Sequence, residues 1–116
     1  MALEIEQVTN TLEETNAGEL RAARRLVKNA LKAGYVVSVN DGGEFVVKRS
    51  NDARAIVAAL GSTGEDYLTF RNAETFEKVG MVMLVWGNDP KGEELFADYT
   101  DNEAINALVK ASEVGQ

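Results

Sequence analysis

The chain contains no cysteine and no histidine. Without thiols, disulfides and thiolate metal sites are excluded. Without imidazole it lacks the usual general base near neutral pH, the commonest metal ligand, and the middle member of Ser-His-Asp or Cys-His machinery. Carboxylates, Lys and Tyr remain, but the adjacent pairs Glu65-Asp66 and Glu93-Glu94 form no credible dyad, because neighbours in a strand point to opposite faces. No enzyme activity, cofactor or metal site is therefore expected. Long apolar runs are missing too: Met81–Trp86, with Val79 just before it, is far short of the roughly 20 residues that span a bilayer. The N-terminal MALEIEQ carries acids where a signal peptide carries bases. The expected location is cytoplasmic, with no membrane partner.

Basic residues are scarce in one half. The net charge is −7, yet residues 1–60 balance eight bases against eight acids, whereas residues 61–116 hold four bases against eleven acids. Phosphate backbones need the opposite sign, so direct nucleic-acid binding is not expected. At 116 residues the chain has room for one domain. A chain of this size buries roughly two-thirds of its unfolded surface, enough for a core without staples.

The segment Tyr35–Arg49 reads as a β-hairpin. A three-residue loop, Asp41-Gly42-Gly43 with Gly43 left-handed, puts Val39 opposite Phe45, Val37 opposite Val47 and Tyr35 opposite Arg49. Nearly all large apolar groups then share one face, leaving Val36, Ser38, Asn40, Glu44, Val46 and Lys48 on the other. A two-residue loop scrambles this division, so burial selects the three-residue form.

Around the hairpin, residues 1–15 form a tail or a short element: Leu3 and Ile5 alternate with acids as in an edge strand, while Thr11–Glu14 has capping-box spacing. The domain proper is expected over 16–116. A helix starts near Ala17, with Asn16 as cap and Gly34 as stop, and Leu20, Ala23, Val27, Ala30 and Leu31 form its buried stripe. A second helix spans about Asn51–Leu60, capped by Ser50 or Asn51 and ended by Gly61, with Ala53, Ile56, Val57 and Leu60 inward. Strands follow at Asp66–Arg71, Val79–Trp86 and Glu94–Tyr99, and the stretch 72–78 reads as a long turn or an irregular edge. The apolar Val79–Trp86 strand is expected to be central, covered on both sides or tightly flanked. Gly87–Gly92 is a loop. Thr100–Glu103 offers a capping box to a last helix with Ile105, Leu108 and Val109 inward, and 112–116 frays. The fold class is α+β, an antiparallel sheet of about five strands with three helices in the order α-β-β-α-β-β-β-α.

Gly42-Gly43 and Gly61-Ser62-Thr63-Gly64 are turn glycines, because neither lies between a strand and a helix as a phosphate loop does. Arg21, Arg25, Lys28 and Lys32 form a basic helix stripe, read as a wet face or a match to the acidic half. The acids Asp89, Glu93, Glu94, Asp98, Asp101 and Glu103 are opposed only by Lys91. Their spacing fits no twelve-residue calcium loop, so they read as a solvated rim or a docking surface. Trp86, Phe96, Tyr99 and Phe70 read as core. Phe76, in the ambiguous stretch, is the aromatic expected at the surface, and Phe70 follows if its strand is an edge. Glu93, Glu94, Asp98, Asp101 and Phe76 are the partner-binding candidates.

Ala33–Glu44, then Val47–Asp52, Ile56–Leu60, Leu84–Asp89 and Ala97–Asn102 together resemble small orphan proteins of tailed phages and prophages. The resemblance covers about residues 30–110 and implies a small cytoplasmic protein made in a bacterial host; it implies no catalytic residues. The combined expectation is a non-enzymatic protein-binding module, a phage accessory protein that presents its acids to a basic surface on a host or defence component. Three alternatives stay open: a nucleic-acid mimic, a small homo-oligomeric structural protein joined through an edge strand, and a small ligand-binding protein or enzyme.

Overall fold

Helix α1 (Ala17–Lys32) forms where the alanine-rich stretch begins and stops at Gly34, whose φ of 94° only glycine adopts freely. A computed structural model of the chain describes residues 17–87 and 94–113. The expected N-terminal element, the Asn16 cap, the loop residues 88–92 with Asp89, Glu93 and residues 114–116 of the end expected to fray lie outside the described residues. Ser112, at the start of that end, does not fray but is fully buried in the last helix, its Oγ accepting from Asn29 Nδ2 at 3.1 Å.

The buried face of α1 is wider than the expected stripe. Ala22, Ala23, Leu26, Val27 and Ala30 are buried with Gly18 and Glu19, while Leu20 and Leu31 are only half-buried on its flanks. The cause is its position: α1 packs on the first strand and on both other helices. Glu19 is buried and accepts the Gly87 N–H on both carboxylate oxygens, each at 3.0 Å, which ties α1 to the far end of the sheet. Of the basic stripe, Arg21, Lys28 and Lys32 are exposed, but Arg25 donates from Nε to the Ser112 carbonyl at 3.2 Å. Its partner is a helix-end carbonyl, where the dipole favours a cation, rather than an acid.

Strands β1 (Tyr35–Asn40) and β2 (Phe45–Ser50) form the hairpin, in a different register from the one expected. Asn40 faces Phe45, Val39 faces Val47 and Val37 faces Ser50, with irregularities on both sides of the Val39 pair. The loop takes in Glu44 as well, and Gly42, not Gly43, is left-handed at φ 102°. A longer loop is tolerated because side chains satisfy its backbone. Asn40 Oδ1 accepts the Gly42 N–H at 2.8 Å, and Asp41 Oδ1 accepts those of Gly43 and Glu44 at 2.9 and 3.0 Å. These amides hold the Asp41 carboxyl below its ordinary range. The extra residues of β2 turn Phe45 outward, 49% exposed, and leave Val47 half-buried against the core.

Helix α2 (Ala53–Ala58) is capped by Asp52 instead of Ser50 or Asn51: its carboxylate accepts the N–H groups of Arg54 and Ala55. Its Oδ1 takes both donors, at 3.0 and 3.4 Å, because Asp52 is the residue that stands extended just before the first turn, while Ser50 Oγ accepts the Asp52 N–H. Strands β3 (Glu65–Asn72), β4 (Lys78–Val85) and β5 (Phe96–Tyr99) form a meander. The stretch between β3 and β4 is a turn, with Asn72 Oδ1 accepting the Glu74 and Thr75 N–H groups. Helix α3 (Glu103–Ser112) starts from Asn102, not Thr100; Asn102 Oδ1 accepts the Ile105 N–H at 2.8 Å. Thr100 serves the sheet instead, its Oγ1 accepting the Met81 N–H at 3.0 Å.

The sheet is antiparallel throughout, in the order β2-β1-β3-β4-β5, so among the described residues β2 and β5 are its edges and β3 is central. The architecture is the expected α+β, with three helices among the described residues. Val37, Val39, Leu68, Phe70, Val82 and Leu84 pack beneath Leu26, Val27, Ile56, Ile105, Leu108 and Val109 as one core. Phe70 is fully buried, Trp86 nearly so, Phe96 packs on the core half-buried, and Tyr99 is exposed rather than internal. Gly80 permits the close approach of α3: a Cβ there would lie 2.5 Å from Ile105 Cγ1. No helix among the described residues is long and apolar enough to cross a membrane.

Candidate functional site: the uncovered face of the sheet

Strand β4 is apolar on both of its sides, but burial alternates along it. Gly80, Val82 and Leu84 are buried, whereas Val79, Met81, Met83 and Val85 are half-buried. β3 alternates in the same way, with Asp66, Leu68 and Phe70 buried and Tyr67, Thr69 and Arg71 half-buried. The helices thus cover one side of β3 and β4, and no other described element packs on the opposite side of these two strands; on β1 that side is closed, with Val36 and Ser38 buried. β4 is therefore covered by helices on one side only and flanked on both edges by β3 and β5, the second of the two arrangements expected for it, while the middle strand is β3; all three helices pack into one layer.

Two hollows mark this face. The smaller, about 250 Å³, is lined by Tyr67, Met81, Met83, Asp98, Tyr99 and Thr100. Its rim includes the Tyr67 phenol, which donates to Glu65 Oε1 at 2.7 Å; that carboxylate disfavours the phenolate and raises the Tyr67 pKa.

The larger hollow, about 570 Å³, is lined by Ser38, Phe45, Lys48, Arg49, Thr69, Arg71 and Lys78. Lys48 and Arg49 are consecutive, yet both line it, because Arg49 is left-handed at φ 49° where the β2 ladder slips. The Arg49 N–H donates to Ser38 Oγ at 2.9 Å, and its guanidinium lies 4.7 Å from the Phe76 ring centroid. Phe76 is itself left-handed, at φ 63°, and its carbonyl accepts from Arg71 Nη1 at 3.0 Å. Bulky residues in that region are strained. Phe76 thus contacts two of the cations that line the hollow, Arg49 through its ring and Arg71 through its carbonyl. Among the described residues, none of these four cations forms an ion pair with a carboxylate.

The described partner-binding candidates are Asp98, Glu94, Asp101 and Phe76. Asp98 lines the smaller hollow and accepts the Tyr99 N–H at 2.9 Å. Glu94 is exposed ahead of β5, and Asp101 is exposed ahead of α3, accepting from Asn106 Nδ2 at 3.0 Å. Phe76 is 42% exposed, as expected of it, but stands with Arg49 and Arg71 rather than with the acids. Among the described residues, no group of three or more Asp or Glu is placed to hold a metal ion. Lys48, Arg49, Arg71 and Lys78 were not assembled by sequence reasoning because they come from three strands whose order is not written in the chain. The one available signal was β4, whose surplus apolar side implied a second surface.

Away from this face, Asp66 is fully buried beneath the helices. Its Oδ2 accepts from the Gly61 N–H and from Trp86 Nε1, both at 2.8 Å, while Oδ1 has no partner. Burial pushes its pKa up, and the two hydrogen bonds offset only part of that. It does structural work, fastening the end of α2 to the end of β4.

No family model, curated protein or solved structure matches the chain.

Proposed function

We propose that the protein is a non-enzymatic binding module that docks a partner protein on the uncovered face of its sheet, over the β4–β5 end. In keeping with the phage and prophage resemblance, the partner is a host or defence component. One observation carries the proposal: β4 spends Met81 and Met83, beside Tyr67 and the exposed Tyr99, on a side that no described element covers. Methionine and tyrosine suit adaptable protein contacts, the first through its flexible thioether and the second through a rigid ring with a polar tip. Asp98, Asp101 and Glu94 beside this strip favour a partner with a basic rim, steering the encounter and weakening with salt.

A photo-crosslinking residue placed at Met83, and in a second protein at Lys28 on the exposed side of α1, tests the assignment in the bacterial host. The expected result is one discrete heterologous adduct from position 83, none from position 28, and loss of the adduct when Glu94 and Asp98 are changed to Lys. Equal adducts from both positions would refute it. A self-adduct alone would replace it with the homo-oligomeric alternative.

A further inference from the structure

We infer that the basic hollow between β2 and the β3–β4 turn is a binding site for a free nucleotide, its phosphates held by Lys48, Arg49, Arg71 and Lys78 and its base laid on Phe45. The hollow of about 570 Å³ lies within the range of roughly 300–1,000 Å³ typical of small-molecule sites. Its floor supplies the Ser38 and Thr69 side chains as further hydrogen-bonding groups. Four cations from three strands converge on it without a carboxylate partner among the described residues, in a chain whose net charge is −7. Cations placed together repel one another, and an anion between them removes that cost. Phe45 is 49% exposed with Lys48 Nζ 5.9 Å from its ring centroid, an arrangement that offers a π-face beside a phosphate ligand.

The surroundings select a short ligand over a polymer. Asp41 and Glu44 stand just before Phe45 in the hairpin loop, and Asp98 lines the other hollow of the same face. A nucleic-acid strand leaving the basic hollow in either direction would bring its phosphates toward carboxylates. A lone small anion, for its part, would leave Phe45 unused. The site does not depend on a protein docking at the β4–β5 end, because the crosslinking experiment reads other residues.

The test is displacement of a fluorescent N-methylanthraniloyl-ATP from the full chain at low salt, by ATP, by inorganic pyrophosphate and by a short single-stranded oligonucleotide. ATP should displace the probe, pyrophosphate should need an about tenfold higher concentration, and the oligonucleotide should do no better than ATP. Lys48→Gln and Lys78→Gln should each weaken ATP binding about tenfold, the usual value of a charge-assisted hydrogen bond. Phe45→Ala should weaken ATP and leave pyrophosphate unchanged. Thermal unfolding of each variant separates lost binding from lost folding, and all three side chains are exposed. Failure of ATP to displace the probe overturns the inference. So does equal displacement by pyrophosphate with Phe45→Ala silent, which is general anion attraction, or tighter binding of the oligonucleotide, which is a polymer surface.

Discussion

Asp66 makes the sharpest test of the packing, because its two carboxylate oxygens have opposite circumstances. Oδ2 accepts two buried N–H groups, from Gly61 and the Trp86 indole, while Oδ1 accepts none. Asp66→Ala strands both donors, at about 1–3 kcal/mol each, and removes a poorly solvated carboxylate that was itself costly, so a net loss of about 2–4 kcal/mol is expected. Asp66→Asn keeps an acceptor oxygen for both donors and carries no charge, so it should cost less than Asp66→Ala at every pH. The pH dependence has a definite sign. Burial raises the folded pKa of Asp66 above its ordinary value of 3.8, so its contribution is fullest below that value and is lost as pH rises through the folded pKa. The stability gap between the parent protein and Asp66→Asn should therefore favour the parent most in acid, narrow as pH rises from 3.8, and then level off. Urea unfolding at stepped pH measures it, and Trp86, the sole tryptophan, is a fluorescent probe bonded to the group in question. A gap that widens with pH, or an Asn variant as damaged as the Ala variant, would refute the assignment.

Two further predictions concern places where the backbone and side chains are crowded. Gly80→Ala should destabilise by about 1–3 kcal/mol, the usual cost of overpacking, because the new methyl meets Ile105 at 2.5 Å. In an Ile105→Ala background the added cost should shrink by at least half in a double-mutant unfolding cycle; additive losses would show that α3 does not press on Gly80. At Arg49, φ is 49° and the guanidinium covers Phe76. Arg49→Ala keeps the strain and loses the stack, so it should be less stable than Arg49→Gly by about 1 kcal/mol in thermal or urea unfolding, with the opposite ranking telling against a left-handed backbone there.

Elements set by local chemistry were legible in the chain. Gly34 and Gly61 end helices, Ile105, Leu108 and Val109 face inward, and the order of helices and strands follows from the alternation of patterns. What depends on side chains bonding to backbone was not. The carboxamide of Asn40 and the carboxylate of Asp41 stabilise a loop one residue longer than burial of Phe45 would select, and the whole β2 register moves with it. Thr100 and Asn102 are both good helix caps, and only the position of β4 decides that Thr100 bonds to Met81 while Asn102 caps. The candidate site was illegible for a third reason. Strand order decides which side chains are neighbours, and nothing local reveals that β1 lies between β2 and β3.

Net charge governs approach, while local charge governs contact, and in this molecule the two differ in sign. Arg71 and Lys78 come from the half of the chain that carries the whole negative excess, yet the fold places them with Lys48 and Arg49 from the balanced half. At physiological salt the field of a distant carboxylate is largely screened beyond about 8 Å, so an anion seated in the hollow responds mainly to the four cations around it. An anion still approaching, at low salt, responds to the total of −7. A compact anion meets the repulsion only on the way in, whereas an extended one keeps part of it after binding. The same division fits the docking proposed for the other end of the face, where Asp98 lies beside Met81 and Met83: a basic protein would be drawn by the overall charge and then held by apolar contact. One uncovered sheet thus offers two surfaces of opposite preference, and a partner seated on both at once would need acidic and basic groups spaced to match.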